Sequence, residues 1–153
     1  MERIGKGLLA GLAATVVLSA LMAAKSMMGI MPMLDLPKML AGMMGSPGNV
    51  ALGWAAHFMI GVAGYGIVMA LVDEALPGDS STGHGVLLAF IGWLIMMVVL
   101  MPMAGAGFFA MSMGMMAPVM TLVLHLIFGG VLGWTYGKLH ASSLDVGGMG
   151  MPR

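Results

Sequence analysis

The sequence predicts an all-α fold: a four-helix transmembrane bundle made of two parallel two-helix pseudo-repeats. Three observations carry this. The 153 residues are 60% hydrophobic and 8% charged, with a mean hydropathy of +1.03, whereas a water-soluble domain of this length needs far more polar surface. Four apolar segments each approach or exceed the roughly 20 residues that cross a bilayer. The second pair of segments echoes the first.

The first segment, about 4–28, is "IGKGLLAGLAATVVLSALMAAKSMM". It lacks a clear cleavage site, so it reads as a retained helix rather than a secretory signal. Residues 29–49 hold Pro32, Pro37, Pro47, Asp35 and Lys38, which argue against a span. Within them "LPKMLAGMM" fits a short amphipathic helix on the membrane surface. The second span is about 50–72, and a polar, turn-rich loop follows at 73–83. The third span is about 84–103. The uncharged stretch 104–117 is either a buried or re-entrant loop or an interfacial one, because irregular backbone at depth needs protein cover. The fourth span is about 118–138. Residues 1–140 thus form one transmembrane domain, and 141–153 read as a flexible tail.

The halves match in three places. "KGLLAGLAATVVLSALM" (6–22) resembles "HGVLLAFIGWLIMMVVLM" (84–101), "GIMPML" (29–34) echoes "LMPMAG" (100–105), and "HFMIGVAGYG" (57–66) resembles "HLIFGGVLGWTYG" (125–137). Two spans per half make the repeats parallel. Arg3, Lys6 and Lys138 lie on one side, and Lys38, with Lys25 snorkelling, on the other. The positive-inside rule then puts both termini in the cytoplasm.

Two histidines interrupt the apolar spans. His57 lies seven residues after Val50, and His125 seven after Pro118. At 1.5 Å per residue each is roughly 10 Å along its helix from the same face. Both fall on glycine-rich stripes: Gly53, His57, Gly61 and Gly64 in one helix, and Thr121, His125, Gly129 and Gly133 in the other. Small-residue faces pack against other helices, so the imidazoles should point inward, where an intramembrane polar group belongs.

Several readings of this pair stand. In a structural one, each ring hydrogen-bonds to a backbone carbonyl, to Thr15, Ser19 or Thr121, or to the other ring. In a second, His57 and His125 are axial ligands of haem b, with Gly61, Gly64, Gly129 and Gly133 leaving room for the macrocycle and Phe58, Tyr65, Phe128 and Trp134 beside it. In a third, they bind Cu(I) or a similar soft ion, helped by outer-face methionines. The chain has 22 methionines, but their spread into helix interiors also suits gap-filling. A proton path would need a buried carboxylate to complete it. His84 and His140, at the other ends of the third and fourth spans, read as solvated or interfacial.

Other chemistries are excluded or unsupported. With no cysteine there is no disulfide, thiolate metal site or iron–sulfur cluster. Zero net charge offers no polybasic surface for nucleic acid. No nucleotide-binding glycine loop or HExxH motif occurs, so the function reads as a structural or accessory membrane subunit without its own catalysis. Its expected partners are membrane lipid and other membrane subunits or further copies of itself, since the glycine stripes exceed what one bundle needs.

"AGLAATVVLSALM" (10–22), "GIMPMLDL" (29–36), "GWAAHFMIG" (53–61), "WLIMMVVLMPMAGAGFFA" (93–110) and "APVMTLVLHLIFGGVLGWTYGKL" (117–139) together touch most of the chain. In these pieces the sequence resembles a family of small, uncharacterised bacterial multi-span membrane proteins. That resemblance implies a bacterial membrane protein of unassigned activity and supplies no catalytic residues.

Overall fold

The computed structural model describes residues 2–148, and within them every regular element is helical, with no strand. Helix α1 spans Arg3–Met27 and stops where Gly29 turns left-handed, at φ +67°. A residue with a Cβ resists that conformation, so glycine ends the helix. Helix α2 is short, Leu36–Met43, with Pro37 in its first turn. The Asp35 side chain caps it by accepting from the Lys38 amide at 3.1 Å. Helix α3 runs Val50–Val72, and the Asn49 side chain accepts from the Leu52 amide at its start. Helix α4 runs Ser81–Met103, with the Ser80 hydroxyl accepting from the Gly83 amide. A 3-10 turn, Phe108–Met113, leads to α5, Met116–Gly148.

Four segments are long and apolar enough to cross a membrane: Arg3–Met27, Val50–Val72, Ser81–Met103 and Met116–Ala141. They coincide with the spans expected from the sequence, apart from shifted ends. The third begins at Ser81 rather than 84, because the Ser80 cap draws the polar "STG" into the helix. The last helix continues to Gly148, so residue 141 is not a helix end. Residues 149–153 of the expected tail lie outside the described residues.

Two departures from α-geometry stand out. Met59–Tyr65 in α3 and Met96–Leu100 in α4 are π-helical. Such segments are rare, short and concentrated at functional sites.

The two halves close by the same device. A Cβ added to Gly11 in α1 would lie 2.8 Å from the Gly61 carbonyl oxygen in α3. One added to Gly129 in α5 would lie 2.6 Å from the Ala89 Cβ in α4. Real Cβ contacts are wider, so small residues set how closely each pair of helices packs. The symmetry between halves is incomplete, because α1 also packs along α5.

The interior holds two apolar clusters. One gathers Ala10, Ala14, Met69, Ala89, Phe128, Leu132 and Tyr136. The other gathers Trp93, Met96, Met97, Met101, Ala106, Ala110 and Ala117. The uncharged 104–117 stretch joins the second cluster: Ala106 and Ala110 are buried in it, and Ser112 donates to the Ala106 carbonyl at 2.9 Å.

Candidate functional site

His57 occupies the last α-helical turn before the π-helical part of α3 and is 5% exposed. Its Nε2 and the Ser19 hydroxyl of α1 share a hydrogen bond of 3.3 Å. Trp54 presents an edge-on ring to it at 5.6 Å between centroids. His125, on α5, donates from Nδ1 to the Thr121 carbonyl at 2.8 Å. The Thr121 hydroxyl in turn donates to the Ala117 carbonyl at 2.8 Å and accepts from Trp93 Nε1 at 3.1 Å. Thr121 therefore ties α4 to α5 while its backbone orients the imidazole. Each histidine has one ring nitrogen engaged in this way and one without a hydrogen-bond partner among the described residues.

Both imidazoles line one cavity of about 90 Å³. It lies at the seam between the two apolar clusters. Tyr65 and Phe128, edge-on at 4.9 Å, belong to one side, and Met96, Leu100 and Leu36 to the other. Residues of both π-helical segments reach it: Ile60, Gly61 and Tyr65 from α3, Met96 and Leu100 from α4. Leu36 and Leu40 of α2 also line it. The short helix is thus a cover over the site as well as an amphipathic surface element.

A narrower space of about 40 Å³ shares Leu18, Leu36, Met96 and His125 with this cavity and adds Met22, Lys25, Met101 and Thr121. A depression of about 420 Å³ shares Met22, Lys25 and Leu34 with that neck and carries Asp35 and Lys38. Shared lining residues place the histidine cavity, the neck and the depression next to one another. Lys25, expected to snorkel, instead turns back on the loop and donates to the carbonyls of Ile30, Met31 and Leu34 at 3.2, 3.0 and 2.8 Å.

The glycines expected to make room for a macrocycle do other work. Gly129 and Gly133 face α4, where a Cβ would collide with Gly85 and Ser81. Gly61 borders the cavity, but the Thr15 side chain already fills the space above it. Gly64 faces an open apolar groove between α3 and α4, lined with Val68 and Leu88. Trp134 is 58% exposed and lines neither histidine space. A cavity of about 90 Å³ is also well below the roughly 300 Å³ at which small-molecule pockets begin. A haem does not fit between His57 and His125 as the helices stand. Most glycines of these stripes meet a neighbouring helix of the same chain.

Sequence reasoning missed three features. Met96, one of the methionines inside the helices that gap-filling would explain, lines both histidine spaces. The Lys25 loop clasp was missed because carbonyl acceptors leave no residue signature. His84, read as solvated or interfacial, lies in the first turn of α4 and is 6% exposed. Its Nδ1 donates to Asp73 Oδ1 at 2.8 Å, and Asp73 Oδ2 accepts from the Ser81 hydroxyl at 2.9 Å. An acidic residue at the end of one helix, with Ser and His at the start of the next, was the available signal.

The sequence profile of a family of unknown function, DUF6789, matches residues 1–145. No curated protein and no solved structure matches the chain.

Proposed function

The chain belongs to DUF6789, a family of unknown function, and we propose that it is an integral membrane accessory module, without catalysis of its own, built around the His57–His125 site. The observation that carries this reading is the pairing of four apolar spans with one small interior cavity lined by two imidazoles. Polar groups inside a membrane bundle are costly, and they concentrate where function needs them. Support for the membrane reading comes also from the outer faces. Leu9, Val16, Leu71, Ile95, Val119 and Trp134 are exposed large apolar side chains along the four spans, a surface suited to lipid rather than water.

In this reading the protein resides in a bacterial inner membrane with both termini in the cytoplasm. The Arg3 end of α1 and the Glu74 end of α3, ion-paired at 3.3 Å, lie on the cytoplasmic side, and the α2 segment lies outside. Membrane lipid is its first partner, and larger membrane subunits would dock through the exposed apolar faces.

The test exploits the absence of cysteine. Single-cysteine variants Glu2→Cys and Met33→Cys are expressed in bacterial cells and treated with a membrane-impermeant maleimide. Alkaline carbonate should leave the protein in the membrane. Met33→Cys should label in intact spheroplasts, and Glu2→Cys only after permeabilisation. Release by carbonate would overturn the membrane reading, and the reverse labelling pattern would overturn the orientation.

A further inference from the structure

We propose that the His57–His125 cavity is a binding site for a single soft monovalent cation, Cu(I), with the Met96 thioether as the third ligand. The inference rests on the membrane-module reading and assigns its interior site a ligand class.

The size of the space admits an ion and excludes a large cofactor. About 90 Å³ is several times the 10–15 Å³ that one water needs, and well short of an organic cofactor.

The donor set selects the kind of ion. Among the described residues no three of His, Asp and Glu converge, and no carboxylate lines the cavity. Hard cations such as calcium and magnesium require oxygen ligands, so they are disfavoured. The donors at hand are two imidazoles and the sulfur of Met96, all neutral. Imidazole and thioether together suit copper, and thioether selects its monovalent state. Charge argues the same way. Neutral ligands leave the ion's charge uncompensated in an apolar surround. The Born cost rises with the square of charge, so a monovalent ion costs roughly a quarter of what a divalent one does.

Both imidazoles are restrained by hydrogen bonds. His125 donates Nδ1–H to the Thr121 carbonyl at 2.8 Å, which fixes the tautomer with a lone pair on Nε2. Metal-binding histidines are typically oriented in this way by a carbonyl or carboxylate. The Ser19 hydroxyl shares a 3.3 Å hydrogen bond with His57 Nε2, which restrains that ring. Met96 sits in the π-helical turn of α4, is 6% exposed, and lines both the cavity and the neck. Its unbranched, polarisable side chain can move between rotamers to reach an ion.

Further thioethers line the adjoining spaces. Met22 and Met101 line the neck, and Met22 also lines the depression beyond it.

The test uses the full-length protein purified in detergent, loaded with Cu(I) anaerobically and titrated against bicinchoninate. The expected result is one Cu(I) per chain that resists competition. Met96→Leu conserves volume and should keep helicity and melting temperature, yet weaken Cu(I) at least tenfold. His125→Asn should do the same. Met27→Leu and Met33→Leu, at exposed positions, should leave affinity unchanged. X-ray absorption should show nitrogen and sulfur neighbours together. Equal affinity in wild type and Met96→Leu would overturn the proposal, as would an all-sulfur copper environment or tighter binding of Zn(II) than Cu(I). Carbonate extraction and maleimide labelling of the copper-free protein judge the membrane reading separately, so either can fail alone.

Discussion

The Nδ1 of His125 donates to the carbonyl of Thr121, one helical turn earlier, at 2.8 Å. Because the acceptor is a backbone oxygen, the neutral ring is held with its proton on Nδ1. Nitrogen-15 NMR of histidine-labelled protein should therefore show one ring, absent in His125→Asn, as the Nδ1–H tautomer. A dominant Nε2–H form for that ring would contradict the geometry.

The Thr15 side chain sits over Gly61, so the helix pair is sensitive to one methyl group. Gly61→Ala forces Thr15 or the α3 backbone to move, an overpacking cost of about 1–3 kcal/mol. Thermal unfolding in detergent should show a lower midpoint, partly restored in the double variant Thr15→Ala, Gly61→Ala. Gly64→Ala meets nothing within 4 Å, so it should leave the midpoint unchanged or raise it. Equal losses at the two glycines would show that helix propensity rather than packing decides.

The number and placement of the helices were legible because apolar length is a one-dimensional property. That His57 and His125 fall on inward faces lining one cavity was also legible, since their small-residue stripes mark packed faces. The facing of the glycines was not. Gly61 and Gly129 occupy corresponding positions in the repeats, yet neither serves as open space, because a stripe of small residues records closeness without naming the neighbour. Met96 was hidden for a related reason. Among 22 methionines, nothing local marks one that lines the same cavity as both imidazoles. The π-helical turns that bring α3 and α4 to the cavity shift the helical register, which a 3.6-residue period cannot anticipate.

Asp73 joins the end of α3 to the start of α4. Its two carboxylate oxygens accept from His84 and Ser81 at 2.8 and 2.9 Å, and its side chain is 10% exposed. Asp73→Ala leaves both donors unpaired in a buried place, at a cost of about 1–3 kcal/mol. A lower melting midpoint and faster proteolysis within 73–83 are expected. Ser81→Ala removes one donor and leaves the His84 bond, so its effect should be smaller. Unchanged proteolysis in Asp73→Ala would show that the loop is held by its backbone alone.

Lys25 organises the loop that roofs the neck. Its ammonium donates to three carbonyls, Ile30, Met31 and Leu34. Met31 is held at φ +47°, a left-handed conformation that a residue with a Cβ adopts only when its surroundings impose it. Lys25→Met keeps the apolar stem and removes every donor, so all three carbonyls lose their ammonium partner. Hydrogen exchange across residues 30–34 should then speed up at least tenfold. Exchange in the middle of α5 should not change, because Phe128 and Leu132 pack in a cluster that Lys25 does not touch. Unaltered exchange at 30–34 would show that the Asp35 cap and α2 packing hold the loop without the lysine, whereas faster exchange throughout α5 would mean that Lys25 supports the whole fold rather than its cover.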